Sequence, residues 1–271
     1  MSPVTLDQIV ATSQKALAAR ERAVPLAELK ARLAGMPATR GFARALRGAP
    51  QRPAVIAEIK QASPSGGLLR PDFDAEAIAR TYQACGARAI SVLTEQAHFQ
   101  GNLARLARLH QVVALPLLQK DFLTAPYQVY EARVHGADAV LLIAAILEDG
   151  MLAELAGLAA ELGLDVLLEV HDEPELARAL KVTTPMLGIN HRNLKTYAID
   201  LATSAALIRQ MGDRRGDRVI VAESGLRTRE DVARVVEGGA QAVLIGETLM
   251  RRPDLAIAYQ ELFGGVVATT H

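Results

Sequence analysis

Apolar residues in this chain come in short unbroken runs rather than in alternation with polar ones. Eight such runs follow in order: "AVIAEIK" (54–60), "AISVLTE" (89–95), "LPLLQKD" (115–121), "AVLLIAA" (139–145), "DVLLEV" (165–170), "MLGIN" (186–190), "VIVAES" (219–224) and "AVLIGE" (242–247). Unbroken runs suit parallel strands covered on both faces, because a strand with one wet face would alternate. Successive runs start roughly 27 residues apart, the length of a strand, a helix and two short loops.

Helical spacing fills the intervals. "DGMLAELAGLAAELG" (149–163) sets Leu152, Leu155, Leu158 and Leu162 along one side, with Asp149 as the expected N-cap and Gly163 as the stop. "TREDVARVVEGGA" (228–240) starts from a Thr228 cap, presents Val232, Val235 and Val236 on one face and ends in glycines. Gly-Ala precedes the strand in "CGARAISVL" (85–93), "HGADAVLLI" (135–143) and "GGAQAVLIG" (238–246), a faint internal repeat. Eight strand–helix units in sequence predict the α/β class and a closed (β/α)8 TIM barrel, not an open doubly wound sheet. The dinucleotide fingerprint G-x-G-x-x-G is also absent.

Residues 1 to about 50 lie outside this cycle. Thr5 and Gln8 form a capping box for a helix carrying Leu6, Ile9, Val10 and Leu17, and "PLAELKARL" (25–33) reads as a second helix. The expectation is one barrel domain over 1–271, with 1–50 as a helical extension packed across one end of it.

Composition narrows the function. The chain has 271 residues, 50% hydrophobic and 22% charged, enough for one full barrel core. Lys plus Arg and Asp plus Glu number 30 each, so no bulk charge favours nucleic acid or an anionic membrane. The basic "RRGDR" (214–218) has no aromatic stacking partners and reads as a solvated loop. With Cys85 as the one cysteine, no intrachain disulfide forms, and Cys85 reads as a small packing residue at a helix end. The N-terminus lacks signal-peptide character, and the longest apolar run (139–147) is about half a membrane span. A cytoplasmic protein is expected.

The polar residues of the strands sit at one end. Glu58 and Lys60, two apart, leave the first strand on the same face. Lys120, Glu169, Asn190 and Glu223 end the third, fifth, sixth and seventh strands. One such charge alone is more often a solvated rim group or a structural ion pair. Polar residues from five strands, all at the end where this fold does its chemistry, predict a common site. "ESG" (223–225) and "IGE" (245–247) follow strands seven and eight, where Ser224, Gly225 and Gly246 leave backbone amides open to a phosphate. "SPSGG" (63–67) would close over the same pocket.

Other chemistries find no support. His98, His171 and His191 lack metal-ligand spacing and read as surface or supporting residues, so no metal or cofactor is expected. No Walker loop, nucleophile elbow or Cys/His pair is present. What remains is Lys and Glu acid–base chemistry on a phosphorylated small molecule. The alternatives are a Schiff-base aldolase using Lys120 or Lys60, an isomerase on the same barrel, and a non-catalytic phosphate-binding barrel.

"AEIKQASPSGG" (57–67), "SVLTE" with "FQG" (91–95, 99–101), "LLQKDF" (117–122), "LLEVH" (167–171), "GINHRNLKT" (188–196), "ESGL" (223–226) and "LIGE" (244–247) resemble, in order, the signature segments of the indole-3-glycerol phosphate synthase family. "TLDQIV" (5–10) resembles that family's N-terminal helix. The resemblance implies a carboxy-lyase of tryptophan biosynthesis. Such an enzyme closes the ring of 1-(2-carboxyphenylamino)-1-deoxyribulose 5-phosphate with loss of CO2 and water, and other enzymes of that pathway are its implied neighbours. It further implies Lys120 as general acid at the ribulose carbonyl and Glu169 as the acid–base carboxylate of the dehydration. Lys60 would hold the substrate carboxylate and share proton transfer, while Glu58 and Asn190 orient these groups. Which lysine gives which proton stays open. By the same resemblance Ser63, Glu223, Ser224, Gly225, Gly246 and Glu247 bind substrate, mostly around the phosphate, with Arg192 and Phe122 nearby and Phe122 as a wall for the anthranilate ring. Two positions depart from the family pattern: many relatives carry Lys at Gly66 and Asn at His191.

Overall fold

The computed structural model describes residues 4–48, 53–193 and 196–264, so Leu194 and Lys195 of "GINHRNLKT" lie outside the described residues. All eight apolar runs form strands: β1 (Ala54–Ile59), β2 (Ala89–Leu93), β3 (Leu117–Lys120), β4 (Ala139–Ile143), β5 (Asp165–Val170), β6 (Met186–Asn190), β7 (Val219–Glu223) and β8 (Ala242–Ile245). Every neighbouring pair is parallel, and pairing of β1 with both β2 and β8 closes the barrel.

Strand geometry divides the apolar residues into two sets with a period of two. Ile56, Leu118, Leu141, Leu167, Val221 and Leu244 fill the interior. Their neighbours Val55, Ala57, Val140, Leu142, Leu168 and Val243 pack outward against the helices. Two residues beyond the interior set come Glu58, Lys120 and Glu169, with Glu223 two beyond Val221. The polar groups at the strand ends therefore continue the inward-facing columns.

Two helices precede β1 as expected, α1 (Leu6–Ala23) and α2 (Leu26–Leu33), and the Thr5–Gln8 capping box starts the first. Leu17 and Leu29 pack against Tyr127, and Arg20 Nε reaches Glu131 Oε1 at 2.8 Å. A third short helix, α3 (Phe42–Leu46), was not foreseen. Phe42 is fully buried in the interior cluster, beside the alanines that begin β1, β2, β4 and β8. Those small residues leave room for its ring, which stoppers the N-terminal end of the barrel. Asp165 Oδ2 holds the Ala43 N–H at 2.8 Å, and Asp138 Oδ1 holds that of Arg40 at 2.7 Å. The extension therefore does not simply cross one end. It runs from the open mouth, where α1 lies, to the closed base.

The N-cap position of the helix Asp149–Glu161 is Glu148 rather than Asp149, and no side chain caps it. The Asp149 carboxylate instead accepts from Arg178 Nε at 2.6 Å, which removes it from the capping role. Thr228 caps the helix Arg229–Glu237 as expected, and Cys85 is the C-cap of the helix Ala75–Ala84. No helix of the described residues is long and apolar enough to cross a membrane.

Candidate active site

At the end of β1 the Lys60 ammonium pairs with the Glu58 carboxylate. The chain then makes a miniature antiparallel hairpin, Ala62–Ser63 against Gly67–Leu68, closed by the Gly66 N–H donating to Ser63 Oγ at 3.0 Å. The sequence indicated only a loop here, because two-residue strands carry no periodic signal. Gly246 serves β1 from the adjacent strand: a Cβ there would lie 2.3 Å from Glu58 Oε1. Its lack of a side chain is what gives the Glu58 carboxylate its space.

Lys120 Nζ stands 3.7 Å from Glu169 Oε2. The other oxygen of Glu169 accepts from Asn190 Nδ2 at 3.2 Å, and Asn190 Oδ1 accepts the Arg192 N–H at 3.0 Å. One amide thus ties the β5 carboxylate to the loop after β6. Glu58, Glu169 and Glu223 are 4%, 2% and 1% exposed, so three carboxyl groups share a nearly dry space with one lysine between them.

That burial separates their protonation states. For Lys120, desolvation alone would favour the neutral amine, but the carboxylates around it, Glu169 first, outweigh it and hold the ammonium charged well past the usual range. Burial pushes Glu169 upward, yet Lys120, His171 and Asn190 together bring it well below an ordinary carboxylate. Glu223 goes the other way, raised by burial and then by the charge on Glu169. No described donor serves Glu223 Oε1 or Glu169 Oε2.

The groove around these groups is an open cavity of about 1080 Å³, counted to its solvent mouth. Every catalytic, substrate-binding or phosphate-binding residue expected from the sequence lines it except Gly225, and of the 63–67 loop Ser63, Pro64 and Ser65 reach it. Ser224 (φ +65°) and Gly225 (φ +79°) both take the left-handed conformation in the turn after β7. A Cβ on Gly225 would meet Ile199 at 2.4 Å, so this glycine serves the turn while Ser224 faces the cavity. Beyond β8, the short helix Glu247–Met250 follows Gly246 directly, with no side chain capping it. The Glu247 carboxylate pairs with Arg251 at 2.9 Å and approaches Arg192 Nη2 at 3.9 Å.

Several lining residues escaped the sequence reading. Leu6 and Ile9 of α1 and Tyr197 reach the cavity, and Phe99 stands 6.1 Å from Phe122, centroid to centroid. Phe99 is set by Glu95, whose carboxylate accepts the backbone N–H groups of Ala97, His98 and Phe99. The Glu95-to-Phe99 spacing was the available signal, since a carboxylate just before a turn often collects its amides. Tyr197 donates from its hydroxyl to the Val4 carbonyl and so fastens the start of α1 over the mouth.

The histidines are not surface residues as a group. His191 is buried, with Nδ1 3.0 Å from the Ser224 carbonyl; burial holds its pKa down, so the neutral ring donates there and braces the strained turn. His171 lies between Glu169 and Glu175. Among the described residues no group of three or more His, Cys, Asp or Glu is placed to hold a metal.

The fold recurs in distant structures. A thiamine phosphate pyrophosphorylase from Pyrococcus furiosus superposes with a TM-score of 0.56 at 17% identity, over 77% of this chain and 92% of that one. A chain of the tryptophan synthase α2β2 complex of the same organism gives 0.58 at 17% identity, over 78% and 98%. Sequence relatives are much nearer. An indole-3-glycerol phosphate synthase from Rhodospirillum rubrum is 50% identical over 96% of this chain and 98% of its own length. One from Albidiferax ferrireducens is 47% identical over 95% and 97%. The model of one enzyme family spans residues 6–262, from the first helix across all eight strands to the last helix. With relatives this close over nearly its whole length, the chain belongs to the indole-3-glycerol phosphate synthase family.

Proposed function

We propose that the ring closure of 1-(2-carboxyphenylamino)-1-deoxyribulose 5-phosphate, the decarboxylating and dehydrating step that makes indole-3-glycerol phosphate, runs here on Lys120 and Glu169. One observation carries this reading: the Lys120 ammonium is held charged by buried carboxylate, Glu169 first, in the cavity that also contains the Phe99–Phe122 pair. A ketone attacked by an aromatic carbon develops negative charge on oxygen, and a fixed cation with a proton to give is the group it requires. Glu169, kept ionised, is a base for the carbon-bound proton lost during dehydration.

The remaining residues bind and orient. Lys60 offers its charge to the substrate carboxylate, with Glu58 steering it, while Asn190 fixes Glu169. Phe122, with Phe99 beside it and Leu6 and Ile9 on the same lining, would supply an apolar wall for the anthranilate ring. Ser63, Ser224 and Gly246 line the cavity and would contact the phosphate, while Gly225 would act only through the turn that sets Ser224. Glu247 would repel a phosphate directly, so its carboxylate acts by holding Arg192 and Arg251 in place. Glu223, as a neutral acid, can donate to a substrate oxygen. The cytoplasm and the neighbouring enzymes of tryptophan biosynthesis form the setting this reading implies.

A Schiff-base mechanism needs a neutral lysine, and the carboxyl cluster keeps Lys120 protonated. The deciding assay follows indole fluorescence from the carboxyphenylamino substrate with no added metal or cofactor, alongside borohydride treatment. Product without a trapped adduct supports the acid–base route. A borohydride-stable lysine adduct, or no indole product, overturns it.

A further inference from the structure

His171 follows β5 directly, and its ring is only 9% exposed. Nε2 is 3.2 Å from Glu169 Oε1, within ion-pair distance although its N–H is not aligned on that oxygen. Nδ1 is 3.0 Å from Glu175 Oε2, which also accepts the His171 backbone N–H at 2.9 Å. Glu175 sits in the first turn of the helix Glu173–Ala179, where its own N–H donates to the Asp172 cap at 2.9 Å. It does not line the cavity. The ring is therefore held between a carboxylate inside the site and one outside it, and only a doubly protonated imidazolium offers a proton to both.

The charged groups facing the ring are Glu169 on its own strand and Glu175 on the following helix. Lys120 lies on the opposite oxygen of Glu169. Burial would neutralise the imidazole, but the two carboxylates outweigh it and raise its pKa to about 10.

The reaction makes such a charge useful. The aryl carbon bearing the carboxylate bonds to the ketone carbon, and the ketone oxygen takes one proton. The C–CO2 bond then breaks, and its electron pair restores the aromatic ring. The new hydroxyl takes a second proton and leaves as water, while the neighbouring chain carbon gives one up. Two protons enter and one leaves, so each turnover draws one proton from outside the substrate.

Resting on the reaction proposed above, we infer that His171 is the proton reserve of the filled site. It gives its Nε2 proton to Glu169 Oε1, and through Glu169 it recharges Lys120. The Nδ1–H stays on the ring and keeps donating to Glu175 Oε2 throughout. Once product leaves, solvent reaches the Lys120 side chain, 18% exposed against 2% for Glu169, and the proton returns through Lys120 and Glu169. His171 and Glu175 touch no substrate in this scheme; they act through Glu169.

The test compares kcat against pH for the unmodified protein, His171→Gln and Glu175→Gln, followed by indole fluorescence. Glutamine at 175 still accepts the backbone N–H, so the helix start survives. Glu175→Gln is expected to keep kcat near pH 6 and to move the alkaline limb down by about one pH unit, because one of two supports of the imidazolium is gone. His171→Gln is expected to lower kcat about tenfold or more with KM within about twofold, and added imidazole is expected to restore part of it. A Glu175→Gln profile that superimposes on the unmodified one, or that falls evenly at every pH, overturns the reserve. That outcome stays readable if His171→Gln fails to fold. An unmodified protein that forms no indole product would instead sink the reaction on which the inference rests.

Discussion

Gly188 on β6 gives Glu223 its room: a Cβ built on this glycine would stand 2.0 Å from the Glu223 Oε1. The two lie on adjacent strands, with Gly188 paired to Val221 and facing Glu169 on its other side. A missing side chain is thus the reason two carboxyls can meet at the barrel mouth. Gly188→Ala is expected to cost about 1–3 kcal/mol through overpacking and to lower kcat with it. Glu223→Ala in the same chain should recover most of the stability and none of the activity. Urea unfolding of the single and double variants measures the coupling, and simple additivity would refute the contact.

Lys120→Ala removes the cation that three carboxyls surround. The expected loss in kcat is about 10²-fold or more, with far-UV circular dichroism unchanged. A variant that retains near-normal kcat would take Lys120 out of the proton transfers.

How much of this was legible beforehand follows from the range of each signal. Strands announced themselves because an apolar run and its polar end are local, and the two-residue spacing of Glu58 and Lys60 already put both on one face. The cavity residues of α1 did not, because Leu6 and Ile9 look like any apolar stripe until the helix is seen over the mouth. Phe42 gave no sign either: its partners are alanines from four separate strands. The tie between His171 and Glu169 lay just beyond the reach of that spacing rule. Two apart on a strand, they should share a face, but His171 lies just past the end of β5, where position no longer dictates direction.

Glu223 predicts a pH effect on stability. Its folded pKa lies above the unfolded value, so the stabilising protonated form is fully present below about pH 4.3 and is lost as pH rises through the folded pKa. At neutral pH the buried group therefore weighs against folding, whereas an amide carries no such penalty. Glu223→Gln is expected to be more stable than the parent by about 1–2 kcal/mol at pH 8, the gap closing near pH 4. Thermal melts at the two pH values check this, and an equal gap at both would refute it.

Ser224 combines a cavity-facing hydroxyl with a left-handed backbone at φ +65°. Ser224→Ala retains the strain and loses the donor, so KM should rise more than kcat falls, as expected for binding that is uniform along the reaction. Ser224→Gly removes both. It should show the same KM defect while gaining about 1 kcal/mol in stability, since glycine takes this conformation freely. Matching melting temperatures for the two variants would mean that the turn stores no strain.

Arg251 connects the mouth to its lid. Its Nη2 donates to the Gly66 carbonyl at 3.1 Å and to Glu247 Oε1 at 2.9 Å, joining the hairpin after β1 to the start of the last turn around the barrel. A Cβ on Gly66 would meet Arg251 Nη2 at 2.8 Å and Ser63 Oγ at 2.7 Å, so a side chain at position 66 and this latch compete for the same space. Arg251 is half exposed, and its loss should cost the whole protein less than about 1 kcal/mol. The effect should be local instead. In Arg251→Ala, amide hydrogen exchange over residues 62–69 is expected to quicken about tenfold, with KM rising severalfold and exchange in the barrel strands unaltered. Gly66→Lys should reproduce the faster exchange, because it displaces the guanidinium without deleting it. If exchange in the hairpin is the same in both variants as in the parent, the latch does not hold the loop, and the Ser63 hydroxyl must be positioned by the hairpin's own backbone.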